Sequence, residues 1–310
     1  MARIDGFSGV ISPALTPFTA DLEPDTGRFV THCRWLLDQG CAGLAVFGTT
    51  SEANSQSGSE RMALLEALAE GGVDTAVLMP GTGACSISET VALTKHAVEL
   101  GCGGVLMLPP YYYKNVDDDG IFRFFDETIQ RIADDRLRVY LYHIPPQTVF
   151  GFSLDLIGRL IDAYPDTIVG IKDSSGDWDN MAAILKAFPT INMFPGSESF
   201  MLKGLRHGAA GCITASANVN PAKLRELYDN WETPEADAMQ ESISALRTTI
   251  QGYPMVPALK EIIAHYKGDN AWRMTRPPFT AMAAAQIEKL LAELASLDYA
   301  LERPLALTGE

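Results

Sequence analysis

Cations are scarce in this chain of 310 residues: 24 lysines and arginines face 39 aspartates and glutamates, for a formal charge of −15. A surface that acidic argues against nucleic acid and anionic membrane as partners. An anionic substrate must then be drawn in by a local site and not by the overall field. Cysteine is sparse too. The five residues, Cys33, Cys41, Cys85, Cys102 and Cys212, are odd in number and lack any CxxC spacing. Buried free thiols in a reducing cytoplasm are expected. The five histidines, His32, His96, His143, His207 and His265, never pair at ligand spacing, and Asp117 to Asp119 reads as a solvated loop, so no metal is expected. No run approaches the ~20 apolar residues of a membrane span, and the opening Met-Ala-Arg-Ile-Asp-Gly lacks the apolar core of a secretory signal. A soluble, cytoplasmic protein is the expectation. A dinucleotide-type GxGxxG loop is also missing after the first strand, where Thr16-Pro17-Phe18 stands instead. That weighs against an open doubly wound sheet.

The composition that remains is ordinary for a globular protein, 47% hydrophobic and 20% charged. Short apolar runs alternate with helical periodicity. Strands are expected at Gly9 to Thr16, Ala42 to Phe47, Val77 to Pro80, Gly104 to Leu108, Val139 to His143, Ile168 to Lys172, Ile191 to Pro195 and Cys212 to Ala215. Helices are expected from Thr26 to Gln39 and from Glu60 to Glu70, the second capped by Ser59. A third follows the capping-box pair Ser86 and Glu89. Others run from Gly120 to Ala133, from the Ser153 cap to Tyr164, from Asn180 to Phe188, from Phe200 to His207, and after the Asn220-Pro221 pair. Eight units of about 25 residues predict an α/β fold, a closed parallel (β/α)8 TIM barrel. After roughly Asn230 only helices are expected: Leu259, Ile262 and Ile263 share one face, and Ile287, Leu290, Leu291 and Leu294 another. The expected division is therefore a barrel over residues 1–230 that carries the active site, and a C-terminal helical extension over 231–310 packed on it.

In such a barrel the site lies at the C-terminal ends of the strands. Lys172 ends the sixth strand, in the stretch Ile168-Val169-Gly170-Ile171-Lys172-Asp173-Ser174-Ser175-Gly176-Asp177. Half desolvated there, an amine is pushed toward its neutral, nucleophilic form. This stretch alone also fits an ordinary strand-ending lysine with its head in solvent. The other strand ends carry Thr49 and Thr50, Tyr111 to Tyr113, Tyr142, Gly196-Ser197-Glu198, and Ile213-Thr214. One amine, several phenols, hydroxyls and backbone amides suit carbonyl chemistry through an iminium ion. Each residue has a plainer reading of its own. The threonines could satisfy a turn, Tyr113 could anchor a subunit contact, and Glu198 could be a helix N-terminal charge. His143 faces away from Tyr142 in a regular strand and reads as a second-layer histidine. Their convergence on successive strand ends is what favours a site.

Four motifs occur in order: Gly48-Thr49-Thr50-x-Glu52, Pro110-Tyr111-Tyr112, Leu141-Tyr142-x-Ile144-Pro145 and Gly170-Ile171-Lys172-Asp173-Ser174-Ser175-Gly176. With these the chain resembles the dihydrodipicolinate synthase / N-acetylneuraminate lyase family of class I pyruvate-dependent lyases and aldolases, over nearly its whole length. The resemblance implies that Lys172 is the Schiff-base lysine and Tyr142 the proton shuttle. It implies that Thr49 links Tyr142 to Tyr112, a tyrosine reaching into the site of a neighbouring subunit. Thr50 and adjacent amides, Gly48 included, would hold the pyruvate carboxylate, and Ile213 would face the keto acid. Glu198 falls where sugar-handling members place an acid that contacts substrate hydroxyls. The family pattern implies a homotetramer built as a dimer of dimers, and no cofactor beyond the covalent lysine imine.

The departures bear on the substrate. Members that condense pyruvate with aspartate semialdehyde carry an arginine where this chain has Gln147. Glutamine cannot supply a charged bidentate clamp, a loss of about 2–5 kcal/mol in a desolvated site. His143 replaces an asparagine of the family pattern, and Ser51 a glycine. The reading is a lyase or aldolase acting on pyruvate or a 2-keto-3-deoxy sugar acid through an imine at Lys172, with dehydration of such an acid also open. Dihydrodipicolinate synthesis is the alternative enzyme. A non-catalytic keto-acid-binding protein is a third reading, which would be expected to have lost Lys172 or Tyr142.

Overall fold

Alternation along the strands sorts the apolar residues into two layers. The computed structural model describes residues 3–301. Its parallel strands are β1 (Gly9–Ser12), β2 (Gly43–Leu44), β3 (Val105–Met107), β4 (Val139–His143), β5 (Ile168–Asp173), β6 (Asn192–Pro195) and β7 (Gly211–Ile213). Ladders run β2-β1-β7 and β3-β4-β5-β6. The segment 78–81 joins them on one side, through single bridges from Leu78 to Leu44 and from Gly81 to Leu106. On the other side the Ala210 N–H donates to the Met193 carbonyl at 2.8 Å. The ring of strands is thereby closed. One layer fills its interior, with Ile11, Ala45, Met79, Leu106, Tyr140, Tyr142, Phe194 and Ile213. The other lies between the strands and the surrounding helices and includes Val10, Leu44, Val139, Leu141, Ile171 and Met193. This is the TIM barrel that the alternation predicts.

The expected third strand is reduced to that bridged segment. Met79 and Gly81 donate to Leu44 and Val46, and the Pro80 carbonyl accepts from Leu106, but proline has no N–H of its own to extend a ladder. The helix Gly58–Glu70 is capped by Ser57, not Ser59: Ser57 and Glu60 form the reciprocal capping box. Asn220 precedes Pro221 at the start of a helix as expected, yet its side chain makes no cap bond. Of the cysteines, Cys33, Cys41 and Cys212 are buried free thiols, whereas Cys85 is exposed.

At the N-terminal end the barrel is stoppered. The Tyr140 hydroxyl accepts the Phe7 N–H at 2.9 Å, and the two rings meet edge to face. Gly170 makes room for this plug, because a Cβ there would lie 2.4 Å from the Tyr140 ring. Access to the interior is thus from the C-terminal ends of the strands. After the helix Pro221–Asp229 come three longer helices, Ala236–Gln251, Met255–Lys267 and Ala284–Ser296. The middle one is buried on every side from Val256 to Ala264. No helix among the described residues is long and apolar enough to cross a membrane.

Candidate active site

The site begins with the register of β4 against β5. Val139 pairs with Ile168 but Tyr140 with Gly170, so β5 carries one extra residue there. This bulge brings Tyr142 beside Lys172 and His143 beside Asp173. Tyr142 faces the barrel interior. The Lys172 side chain is only 5% exposed. Its Nζ donates to the Tyr142 hydroxyl at 3.3 Å and stands 4.3 Å above the centre of that ring. Thr49 Oγ1 is 3.5 Å from the same hydroxyl. Burial acts to raise the Tyr142 pKa, but the Lys172 charge and hydrogen bonds from Thr49, Lys172 and Ser174 outweigh it and hold the phenol below its ordinary value. A phenol so placed can hand a proton to and from a group bonded to Lys172.

His143 and Asp173 are the next pair along the same strands, and of the two only Asp173 borders the cavity described below. Asp173 accepts from the Ser175 N–H at 2.7 Å and from Asn180 Nδ2 at 2.6 Å. His143 Nδ1 accepts the Phe152 N–H at 3.0 Å. These contacts fix the chain just beyond Lys172 and keep the histidine out of the cavity.

The loop after β2 is held from both ends. Phe47 and Glu52 adopt left-handed backbone conformations, with φ of 58° and 57°, and so turn the chain sharply on either side of Gly48 to Ser51. Buried Ser51 fits here in place of a glycine: its hydroxyl donates to the Ala14 carbonyl and accepts the Gly48 N–H at 3.3 Å. Glu52 receives Lys260 Nζ and the Arg276 N–H. Among the described residues, the N–H groups of Thr49 and Thr50 have no protein acceptor. Two free amides and the Thr50 hydroxyl make a site suited to a carboxylate.

A cavity of about 560 Å³ opens over these groups, lined by Thr49, Thr50, Tyr142, Gln147, Lys172 and Arg247 among others. Gln147 enters it from a four-residue helical turn, Pro145–Thr148. Gly48 lines a smaller adjoining cavity, which it shares with Thr49 and Tyr142. Ile213 is fully buried in the barrel interior beside Tyr142.

Two expected residues do not line this cavity within the single chain. Glu198 is completely buried, and its two oxygens accept the hydroxyls of Thr214 and Ser216. It is not among the residues that line the cavity. Tyr112 is 73% exposed and packs edge-on against equally exposed Tyr113. Within its own chain it makes no hydrogen bond to Thr49.

Conversely, the sequence reading missed Arg247. It comes from the helix Ala236–Gln251, where Gln240, Ser244, Arg247 and Gln251 recur at helical spacing. That polar stripe is a detectable signal, though on an amphipathic helix such a stripe ordinarily faces solvent. Here Gln240 holds it against the barrel, accepting the Leu202 N–H and donating to the Glu198 carbonyl, both at 2.9 Å.

The family model of the dihydrodipicolinate synthetase family matches residues 6–297. The chain belongs to this family. A relative from Chloroflexus aurantiacus, described as an uncharacterized DapA-like lyase, is 33% identical over 96% of this chain and 97% of its own. The crystal structure of dihydrodipicolinate synthase from Agrobacterium tumefaciens superposes with a TM-score of 0.88 at 29% identity, over 94% of this chain and 99% of that one. YagE from E. coli K12, solved in complex with pyruvate, gives 0.87 at 25% identity, over 94% and 99%. A class I pyruvate-dependent lyase fits both the family and the groups assembled around Lys172.

Proposed function

We propose that the protein is a Schiff-base lyase or aldolase that binds pyruvate, or a 2-keto-3-deoxy sugar acid, as an imine on Lys172. The observation that carries this reading is the contact chain from Lys172 Nζ to the Tyr142 hydroxyl and on to Thr49, at 3.3 and 3.5 Å. Nζ adds to the ketone carbon, and Tyr142 delivers the proton with which the carbinolamine loses water. The carboxylate is held by Thr50 and the free amides of the loop after Gly48. Loss of a proton from the neighbouring carbon gives an enamine that attacks an aldehyde, and hydrolysis of the new imine frees the product. Cleavage runs the same steps in reverse, and dehydration draws on the same imine. No cofactor enters this sequence. Condensation with aspartate semialdehyde is a second reading, supported by the likeness to the Agrobacterium synthase, and the uncharged Gln147 weighs against it.

The assembly proposed with this reading is a cytoplasmic homotetramer, a dimer of dimers, in which Tyr112 of one chain serves Thr49 of another. The barrel, residues 1–230, supplies the imine chemistry, and 231–310 form the extension packed on it.

Borohydride reduction in the presence of pyruvate, followed by peptide mass mapping, tests the core of this. The expected product is a reduced pyruvate adduct on Lys172, lost in Lys172→Ala. Absence of an adduct on Lys172 in the native enzyme would overturn the reading.

A further inference from the structure

Arg247 has no part in the imine chemistry, yet it lines the cavity. Its side chain is 12% exposed, whereas neighbouring Glu198 is wholly covered. Its contacts are long and few. Nη1 stands 3.5 Å from Glu198 Oε2 and from Thr214 Oγ1, and Nε donates to Gln251 Oε1 at 3.3 Å. Among the described residues Nη2 has no hydrogen-bond partner. Glu198 is already served by two hydroxyls at closer range. The arginine therefore keeps donors free on a wall that is partly closed to water, and the partner that best matches such a planar fork is a carboxylate.

The rest of the lining agrees. Among the described residues the charged groups along the cavity are Lys172, Asp173 and Arg247. Lys172 is committed to the keto group, and Asp173 spends its oxygens on the Ser175 N–H and on Asn180. Along the lining no uncommitted acid opposes an incoming anion, and Arg247, though its Nη1 is ion-paired with Glu198 behind the wall, keeps Nη2 for it. The first carboxylate of the substrate has its own amides at Thr49 and Thr50.

We propose that Arg247 is a specificity-determining residue that binds a second carboxylate, at the end of the substrate remote from the imine, so that the preferred substrates are 2-oxo diacids or acceptor aldehydes bearing a terminal carboxylate. This rests on the imine at Lys172. It moves the source of the second cation from the Gln147 turn to the C-terminal helix Ala236–Gln251.

Unreactive 2-oxo acids test it without knowledge of the natural acceptor. Each forms the imine by losing water from the carbinolamine, and borohydride reduces the C=N bond to a stable amine on Lys172. The concentration giving half-maximal labelling is read for 2-oxoglutarate, 2-oxoadipate and 2-oxopimelate against the corresponding monoacids 2-oxopentanoate, 2-oxohexanoate and 2-oxoheptanoate. In the wild-type enzyme at least one diacid is expected to label at a concentration about 10-fold or more below its monoacid. Arg247→Met should bring that pair to within about threefold, with Arg247→Lys between the two. Because Arg247→Met also removes the cation beside buried Glu198, the same curves are taken in Arg247→Met with Glu198→Gln, and diacid labelling is read in each variant against its own labelling by pyruvate and the monoacids, which reports that it is folded. A wild-type enzyme with no preference for any diacid overturns the proposal, as does equal weakening of diacid and monoacid in Arg247→Met. Failure of pyruvate itself to label Lys172 would instead strike the imine reading beneath it.

Discussion

Lys172 and Tyr142 were legible because strand periodicity is simple: a residue at a strand's C-terminal end has a known address in a barrel. The bulge that aligns them was not, since it depends on which residue of β4 meets which of β5. Nor was the burial of Glu198, which follows from two hydroxyls on the neighbouring segment. His32 was read only as a histidine without a metal, and the structure gives it a definite state. Its Nε2 lies 2.9 Å from Asn218 Oδ1, and the Asn218 amide donates to Pro13 and Ala215. Nε2 therefore carries the hydrogen. Nδ1 has no partner among the described residues, and the imidazole ring packs against those of Trp35 and Trp272. Burial and the Lys267 charge depress the pKa to about 3, against an opposing contribution from the Asn218 bond. The unfolded chain then binds more protons than the folded one between pH 6.5 and about 3. The stability tied to neutral His32 is complete above 6.5 and drains away as pH falls through that window. In urea titrations at pH 6, 5 and 4, His32→Gln should show a shallower loss of unfolding free energy, by up to about 1.4 kcal/mol per pH unit. Parallel slopes for the two proteins would refute the assignment.

Among the elements, helices and most strands follow the sequence pattern because their apolar residues repeat at the period of the element itself. The segment 78–81 departs because of Pro80, and the Ser57 cap because Glu60 lies at the spacing that answers Ser57 and not Ser59. The helix Met255–Lys267 was expected to bury one face and in fact buries all of them. Its Lys260 is fully enclosed, donating to Glu52 and, at 2.8 Å, to the Met274 carbonyl, with the Phe18 ring 4.5 Å away. Burial draws the lysine down to about 8 despite Glu52. The pair links this C-terminal helix to the loop that presents Thr49 and Thr50. Lys260→Met leaves a buried carboxylate without its counter-charge, a cost of about 3–5 kcal/mol. Removing the charge as well, in Lys260→Met with Glu52→Gln, should recover part of that loss. The pyruvate concentration needed for half-maximal labelling should rise in the single variant, because Glu52 anchors the loop proposed to hold the pyruvate carboxylate. Urea midpoints and labelling curves read the two effects, and strictly additive substitutions would mean that the pair is not coupled.

For the whole molecule, the barrel and its helical sequel were readable from the period of alternation, while the expected dimer of dimers rests on the family resemblance, because an interface appears in one chain only as exposed surface. Among the described residues Tyr112 and Tyr113 are the most exposed large apolar side chains, two rings 5.3 Å apart just beyond Pro109 and Pro110. A small cavity bordered by Gly48, Thr49, Asn54, Arg61 and Tyr142 adjoins the larger one over Lys172, sharing Thr49 and Tyr142 with it. Its own chain sends Tyr111 to Asn54, at 2.9 Å, and leaves Tyr112 outside. If Tyr112 serves Thr49, it must do so from another copy of the chain. The consequence is a genetic one. Tyr112→Ala and Lys172→Ala should each be nearly inactive as pure proteins, the first still labelled by pyruvate and the second not. When the two are mixed and allowed to exchange subunits, a hybrid pair holds one site with both defects and one with neither. Random exchange makes half of the pairs hybrid, so about a quarter of all sites become intact and activity should return to about that fraction of wild type. A tyrosine acting within its own chain could not be rescued this way, since every site would keep one defect. Activity that stays at the level of the separate variants after demonstrated exchange would rule out the shared site.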